Sequence, residues 1–162
     1  MNKKRAILHV IFVLYLMTLL SIILFKGRFD RLPELITTAK PRQNNINLEP
    51  FATIKLFLNA YRQNIIPKAS LRNLIGNIVI FVPYGFLIPV LARRSAFLLT
   101  HITGILLIIL IELTQWLTSW GVLDIDDLVL NLSGIFVGWL LLRIGQMLFG
   151  IRKRTTAIVE NR

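Results

Sequence analysis

Residues 96–116 read AFLLTHITGILLIILIELTQW, a run with no lysine or arginine and a single carboxylic acid, Glu112. A bilayer core about 30 Å thick takes roughly 20 residues of helix to cross, so this stretch has the length and polarity of a membrane span. Working outward, the same test finds three more. Residues 6–25 lie between Asn2-Lys3-Lys4-Arg5 and Lys26-Gly27-Arg28, residues 74–92 stop at Arg93-Arg94, and residues 128–149 precede Arg152-Lys153-Arg154. The first run is longer than the apolar core of a signal peptide and has no small-x-small cleavage site before Lys26, which predicts an uncleaved span. The expectation is an all-α membrane protein with four transmembrane helices, built as a single domain over residues 1–162.

Composition agrees with that reading. Of 162 residues, 55% are hydrophobic and 17% charged, and the mean hydropathy is +0.67, too apolar for a soluble domain of this length. The 19 Lys and Arg residues against 8 Asp and Glu give a formal net charge of +11. Those cations sit almost wholly between the apolar runs, where they meet anionic head groups or fix topology, so nucleic acid is not an expected partner. Without cysteine there is no disulfide, thiolate metal site or cysteine nucleophile. Nucleotide, zinc and hydrolase signatures are missing, and three carboxylates near a helix start are weak grounds for a cation. No cofactor or metal is expected.

The connection over residues 26–72 holds nine basic residues against Asp30, Glu34 and Glu49. Behind Glu49-Pro50, the residues Phe51, Ile54, Leu58, Tyr61 and Ile65 recur at spacings of 3, 4, 3 and 4, the signature of an amphipathic helix. With Lys55, Arg62 and Lys68 around the stripe, this additional helix is expected in the membrane interface; packing on the bundle is the competing reading. The basic N-terminus, Arg93-Arg94 and the basic C-terminal flank predict that both termini are cytoplasmic in the cell membrane, with the acid-only link of residues 117–127 outside. The long basic loop argues the other way, but many of its cations lie far from the span ends.

A charged side chain inside a spanning helix costs about 2.5–3.5 kcal/mol on insertion scales, so polar residues there carry information. Glu112 and Gln115 share one face of the third span. Asp127, Asn131, Gly134 and Gly138 line one face of the fourth at spacings of 4, 3 and 4. Asn73, Asn77 and Tyr84 do so in the second, which Pro83, Gly85 and Pro89 predict to be kinked. The second span begins, the third ends and the fourth begins on one side of the membrane. At about 1.5 Å per residue, Asn77, Glu112, Gln115 and Asn131 fall within roughly 8 Å of that surface, and Asp124, Asp126 and Asp127 lie at it. Of these, Asn77, Glu112, Gln115, Asp124, Asp127 and Asn131 form the candidate binding pocket, beneath a basic loop that includes Arg72.

Each group also has a purely structural reading. Carboxylates at a helix start cap free N–H groups, Gly134 and Gly138 admit a close helix neighbour, and buried amides join helices. Glu112 stands out because an intramembrane acid with no basic residue in its own helix must be protonated, hydrogen-bonded or hydrated. His101 lies about 16 Å along the same helix, toward the opposite surface, and reads as interfacial.

Several stretches resemble the VanZ family: Leu14-Tyr15-Leu16-Met17-Thr18-Leu19-Leu20, Asn47-Leu48-Glu49-Pro50-Phe51, and Asn77-Ile78-Val79-Ile80-Phe81-Val82-Pro83-Tyr84-Gly85-Phe86. So do Glu112-Leu113-Thr114-Gln115 and the run from Asp124 to Gly134, Asp-Ile-Asp-Asp-Leu-Val-Leu-Asn-Leu-Ser-Gly. The resemblance covers about residues 14–138, in order. It implies a bacterial membrane protein of a family named for low-level resistance to teicoplanin-type glycopeptides, with no agreed chemistry. Its signature falls on Asn77, Pro83, Gly85, Glu112, Gln115, Asp124, Asp127, Asn131 and Gly134. Ile135 stands where some relatives have a second small residue.

The function expected is that of a non-enzymatic accessory factor of the cell envelope, lowering glycopeptide susceptibility by binding a lipid or lipidated amphiphile at the outer leaflet. Its partners would be membrane lipids, a lipid-linked envelope precursor or a lipidated glycopeptide, with a membrane-protein partner or a second copy also open. Two alternatives stand beside it: an intramembrane acid–base enzyme or proton-linked transporter using Glu112 and Asp127, and a scaffold that docks another membrane protein through Gly134 and Gly138.

Overall fold

A computed structural model describes residues 3–36, 46–63, 68–92, 97–118 and 123–160. The elements are α1 (Lys3–Ile36), β1 (Ile46–Asn47), α2 (Ala52–Arg62), α3 (Lys68–Ala92), α4 (Phe97–Leu117), β2 (Leu123–Asp124) and α5 (Ile125–Glu160). Four helical segments are long and apolar enough to span a bilayer: Lys3–Leu24, Asn73–Ala92, Phe97–Leu117 and Ile125–Phe149. They coincide with the four expected spans to within a few residues. Large apolar side chains such as Leu14, Val79, Leu106 and Leu141 face outward, as they must where the surrounding solvent is hydrocarbon and every backbone group is satisfied inside its own helix.

The bundle centres on α3 and α5. A methyl group at Gly85 would overlap the Ile135 carbonyl, one at Gly134 the Ile78 carbonyl, and one at Gly138 the Val82 carbonyl. The two helices therefore touch backbone to backbone along this seam, the close approach that small residues permit where water supplies no driving force between helices. Around it Leu19 and Ile23 of α1, Phe81 and Tyr84 of α3, Ile108 and Ile111 of α4, and Ile135 of α5 form one buried cluster. Ile135 is fully enclosed, and its side-chain tip fills the space beside Gly104. By contrast α1 is peripheral: 6% of its span window is buried, against 33% for α5.

Both expected prolines, Pro83 and Pro89, lie inside α3. Pro83 has no N–H to offer the carbonyl four residues back, so this turn of helix needs help from a neighbour. The freed carbonyl is that of Val79; at the next residue the Tyr15 hydroxyl of α1 donates to the Ile80 carbonyl at 2.8 Å and ties α1 to this turn.

Three features differ from the sequence expectation. The first helix runs on through Lys26-Gly27-Arg28 to Ile36, so residues 26–36 are helix rather than loop. Hydropathy marks where hydrocarbon ends, whereas Lys and Arg remain good helix formers beyond it. For the same reason α5 continues past Arg152-Lys153-Arg154 to Glu160. The loop helix is present as α2, but it starts at Ala52, after Phe51 in a left-handed conformation with φ 63°. It rests against α3 and α5. Ile54 is half-buried while Phe51, Leu58 and Tyr61 are exposed; Ile65 lies outside the described residues.

Candidate functional site

The start of α5 organises the polar end of the bundle. Asp124 is its N-cap: the Oδ1 atom accepts the Asp126 N–H at 2.9 Å, satisfying one of the donors that a helix start leaves free. Acids at this end also complement the helix dipole. Asp126 and Asp127 are about 100° apart around the helix, so they reach different neighbours. Asp126, 1% exposed, accepts the Phe51 N–H at 2.6 Å and thereby holds the entrance to α2. Asp127 Oδ1 accepts the amide of Asn77, with the Asn73 amide at 3.5 Å, and so joins α5 to α3.

Glu112 closes the other side. Its Oε2 accepts the Asp124 N–H at 3.2 Å, which spends a costly intramembrane acid on tying the end of α4 to the start of α5. Asn47 adds a third tie, donating from Nδ2 to Asp124 Oδ2 at 3.2 Å. Its backbone belongs to a parallel bridge in which Ile46 faces Leu123 and Asn47 faces Asp124. The Asn47 carbonyl oxygen of the side chain in turn accepts the Glu49 N–H at 3.4 Å, an Asx turn that leads the chain into α2. Residues 46–51 are thus clasped onto the α5 start at both ends, through Asn47 to Asp124 and through the Phe51 N–H to Asp126.

The expected pocket residues divide accordingly. Asn77 and Asp127 meet, as do Glu112 and Asp124. Gln115 turns to α1 instead, donating from Nε2 to the Ile23 carbonyl at 3.2 Å. Pro83, Gly85, Gly134 and Gly138 belong to α3 and α5, where the three glycines line the helix seam. Asn131, one turn beyond Asp127 on α5, is 4% exposed, and its Oδ1 has no hydrogen-bond partner among the described residues. A buried amide oxygen without a donor costs about 1–3 kcal/mol. It is the open acceptor of this site.

Asn47, the Phe51 N–H and Asp126 contribute more than sequence reasoning assigned them. The signal lay in the stretch from Asn47 to Phe51, whose Asn and Pro mark a turn, but nothing local names a partner 75 or 77 residues away. Lys55 pairs with Glu49 at 3.3 Å on the exposed side of the clasp, where solvent leaves such a pair little net worth. The expected basic cover from Lys26, Arg28, Arg31, Lys40, Arg42, Lys68 and Arg72 lies outside the described residues or side chains. Among the described residues no cluster of three His, Asp or Glu side chains could hold a metal ion. The arrangement is one of acceptors: carboxylates and an amide oxygen at a helix start, chemically suited to hydrogen-bond donors.

Comparison with known proteins adds to this geometry. A family model described as VanZ/LLP1 matches residues 12–149. Protein VanZ of Enterococcus faecium is 28% identical over 125 residues, covering 77% of this chain and 66% of that protein. The chain therefore spans a little under two thirds of that relative's length. No solved structure matches it. The matched segment takes in three of the apolar helices whole, the first from residue 12 onward, and every residue of the polar end from Asn47 to Asn131; the chain is a membrane protein and belongs to the VanZ/LLP1 family.

Proposed function

We propose that the chain is an accessory factor of the bacterial cell envelope that lowers susceptibility to teicoplanin-type glycopeptides by binding an amphiphile at the outer leaflet. The amphiphile is a lipid, a lipid-linked precursor or the lipidated antibiotic itself, with its tail in the bilayer and its hydroxyl or amide donors against the start of α5. The observation that carries this reading is the buried, unpartnered Oδ1 of Asn131 beside a rigid set of acceptors. The clasp through Asp124, Asp126, Asp127 and Glu112 preorganises that end, so a ligand donor meets fixed acceptors and loses little in ordering them. No chemical step is assigned to the site, and the factor acts by binding.

Topology follows from the same reading. Both termini face the cytoplasm, which sets the α5 start at the outer surface, and α2 lies in that interface with Leu58 and Tyr61 toward lipid. Their exposure, 48% and 59%, supports this placement.

The test is complementation of a deletion strain with wild type, Glu112→Ala, Asp127→Ala or Asn131→Leu, reading teicoplanin susceptibility, protein abundance and envelope lipid profile together. Wild type is expected to lower susceptibility, and Asn131→Leu to lose the effect at unchanged abundance with an unaltered lipid profile. A lipid that accumulates only with Glu112→Ala or Asp127→Ala would favour enzyme or transporter chemistry. An unchanged response in all variants would remove the site from the account.

A further inference from the structure

At the opposite end of α4 and α5 lies a second group of side chains that the polar site does not use. His101 and Trp139 are about 16 and 18 Å along their helices from Glu112 and Asp127, with ring centroids 6.4 Å apart. The His101 Nδ1 atom lies 2.8 Å from the Phe97 carbonyl. A carbonyl only accepts, so Nδ1 carries a proton, and in the tautomer this fixes Nε2 is the acceptor. Both His101 Nε2 and Trp139 Nε1 are buried and have no hydrogen-bond partner among the described residues.

The surroundings make this one aromatic cluster rather than two unrelated atoms. Phe97 lies tilted over His101 at 3.9 Å and meets Trp139 edge-on at 5.0 Å. Phe136 closes the other side, 6.2 Å from each ring. Arg143 lies over the Trp139 ring at 5.6 Å. Phe136, Trp139 and Arg143 recur at spacings of 3 and 4, one face of α5. An indole belt would ordinarily turn its N–H to interfacial water; here that N–H is covered.

We infer that His101, Trp139 and Arg143 form a binding site for an anionic glycerophospholipid whose head group carries a free hydroxyl, phosphatidylglycerol being the chemical type. The lipid phosphate accepts from Arg143 and from the Trp139 N–H, and the head-group hydroxyl donates to His101 Nε2. A zwitterionic choline head has no hydroxyl for the histidine and carries its own cation toward Arg143. Phe97 and Phe136, 41% and 44% exposed, flank the upper acyl chain.

Trp139 itself is the reporter. The full chain with Trp116→Phe and Trp120→Phe is placed in nanodiscs of phosphatidylcholine, and quenching of Trp139 by brominated phosphatidylglycerol, brominated phosphatidylmethanol and brominated phosphatidylcholine is compared. Quenching is expected at about fivefold lower mole fraction with phosphatidylglycerol than with phosphatidylcholine, the ratio one net hydrogen bond supplies. His101→Leu should make phosphatidylglycerol and phosphatidylmethanol equal while still binding both, which also shows that it folds. Arg143→Gln should weaken both anionic lipids alike. Soluble glycerol phosphate should not relieve the quenching; if it does, the site takes a free phosphate and not a lipid. Equal quenching by all three lipids in the unaltered site would overturn the proposal and assign the two atoms to water.

Discussion

Along α5 the chain treats polar groups in two ways. At the helix start Asp124, Asp126 and Asp127 each hold a named donor of another segment or the next turn. About 18 Å further on, Trp139 faces His101 across the α4 boundary with its N–H unmet among the described residues. The first end is a fastening: its polar atoms bind the backbone at the entrance to α2 and in the α4–α5 turn and the side-chain amides of α3, so their loss is felt by the fold. At the second, among the described residues, aromatic packing joins the two helices while the hydrogen bonds of His101 and Arg143 stay within their own helices, so its polar atoms can be removed without unfastening one helix from the other. Asn131 is the exception within the first end, an open acceptor in an otherwise satisfied group. Polar residues inside a membrane protein are thus read by what they already hold, and those that hold nothing are the ones free to meet a ligand.

The largest effect that would break this contrast lies in the seam that carries both ends. Gly138→Leu is expected to lower stability by more than the about 1–3 kcal/mol usual for overpacking, because it meets the Val82 backbone and not a movable side chain. Thermal unfolding in detergent measures it. Gly104→Ala is the control, since the nearest atoms it meets are side-chain atoms of Ile135 and Tyr84 and not backbone.

Next in size is Asp126→Ala. It leaves the Phe51 N–H without its acceptor in a part-buried clasp, at a cost of about 1 kcal/mol in the same assay. Asp126→Asn, which keeps an acceptor oxygen, should recover part of the loss. A neutral result for Asp126→Ala would mean that the clasp does not fasten the loop.

Smallest is His101→Leu, expected to stay within about 0.5 kcal/mol of wild type, because the histidine makes no tie to another helix by hydrogen bond among the described residues. A loss comparable to that of Asp126→Ala would erase the distinction between the ends.

The four spans were legible because crossing 30 Å of hydrocarbon imposes a length and a composition that any window reveals. The spacing of Gly134 and Gly138 announced a close neighbour, and Pro83 and Pro89 announced a backbone in need of one. What the sequence did not disclose was pairing at a distance. A two-residue bridge between Asn47 and Asp124 has no period to detect, and Gln115 shares a face with Glu112 yet reaches a different helix, because side chains three apart differ by about 60° in direction. The overrun of α1 to Ile36 was hidden for a related reason: charge ends the hydropathy signal without ending the helix.

The central claim is that the open acceptor beside the α5 clasp binds an amphiphile. It is tested most directly by measuring teicoplanin binding to the purified full chain in nanodiscs, against a glycopeptide core lacking the acyl chain. Saturable binding of the acylated molecule alone, lost in Asn131→Leu at an unchanged melting temperature, is the predicted result. Equal, non-saturating uptake by wild-type and Asn131→Leu nanodiscs would contradict the account.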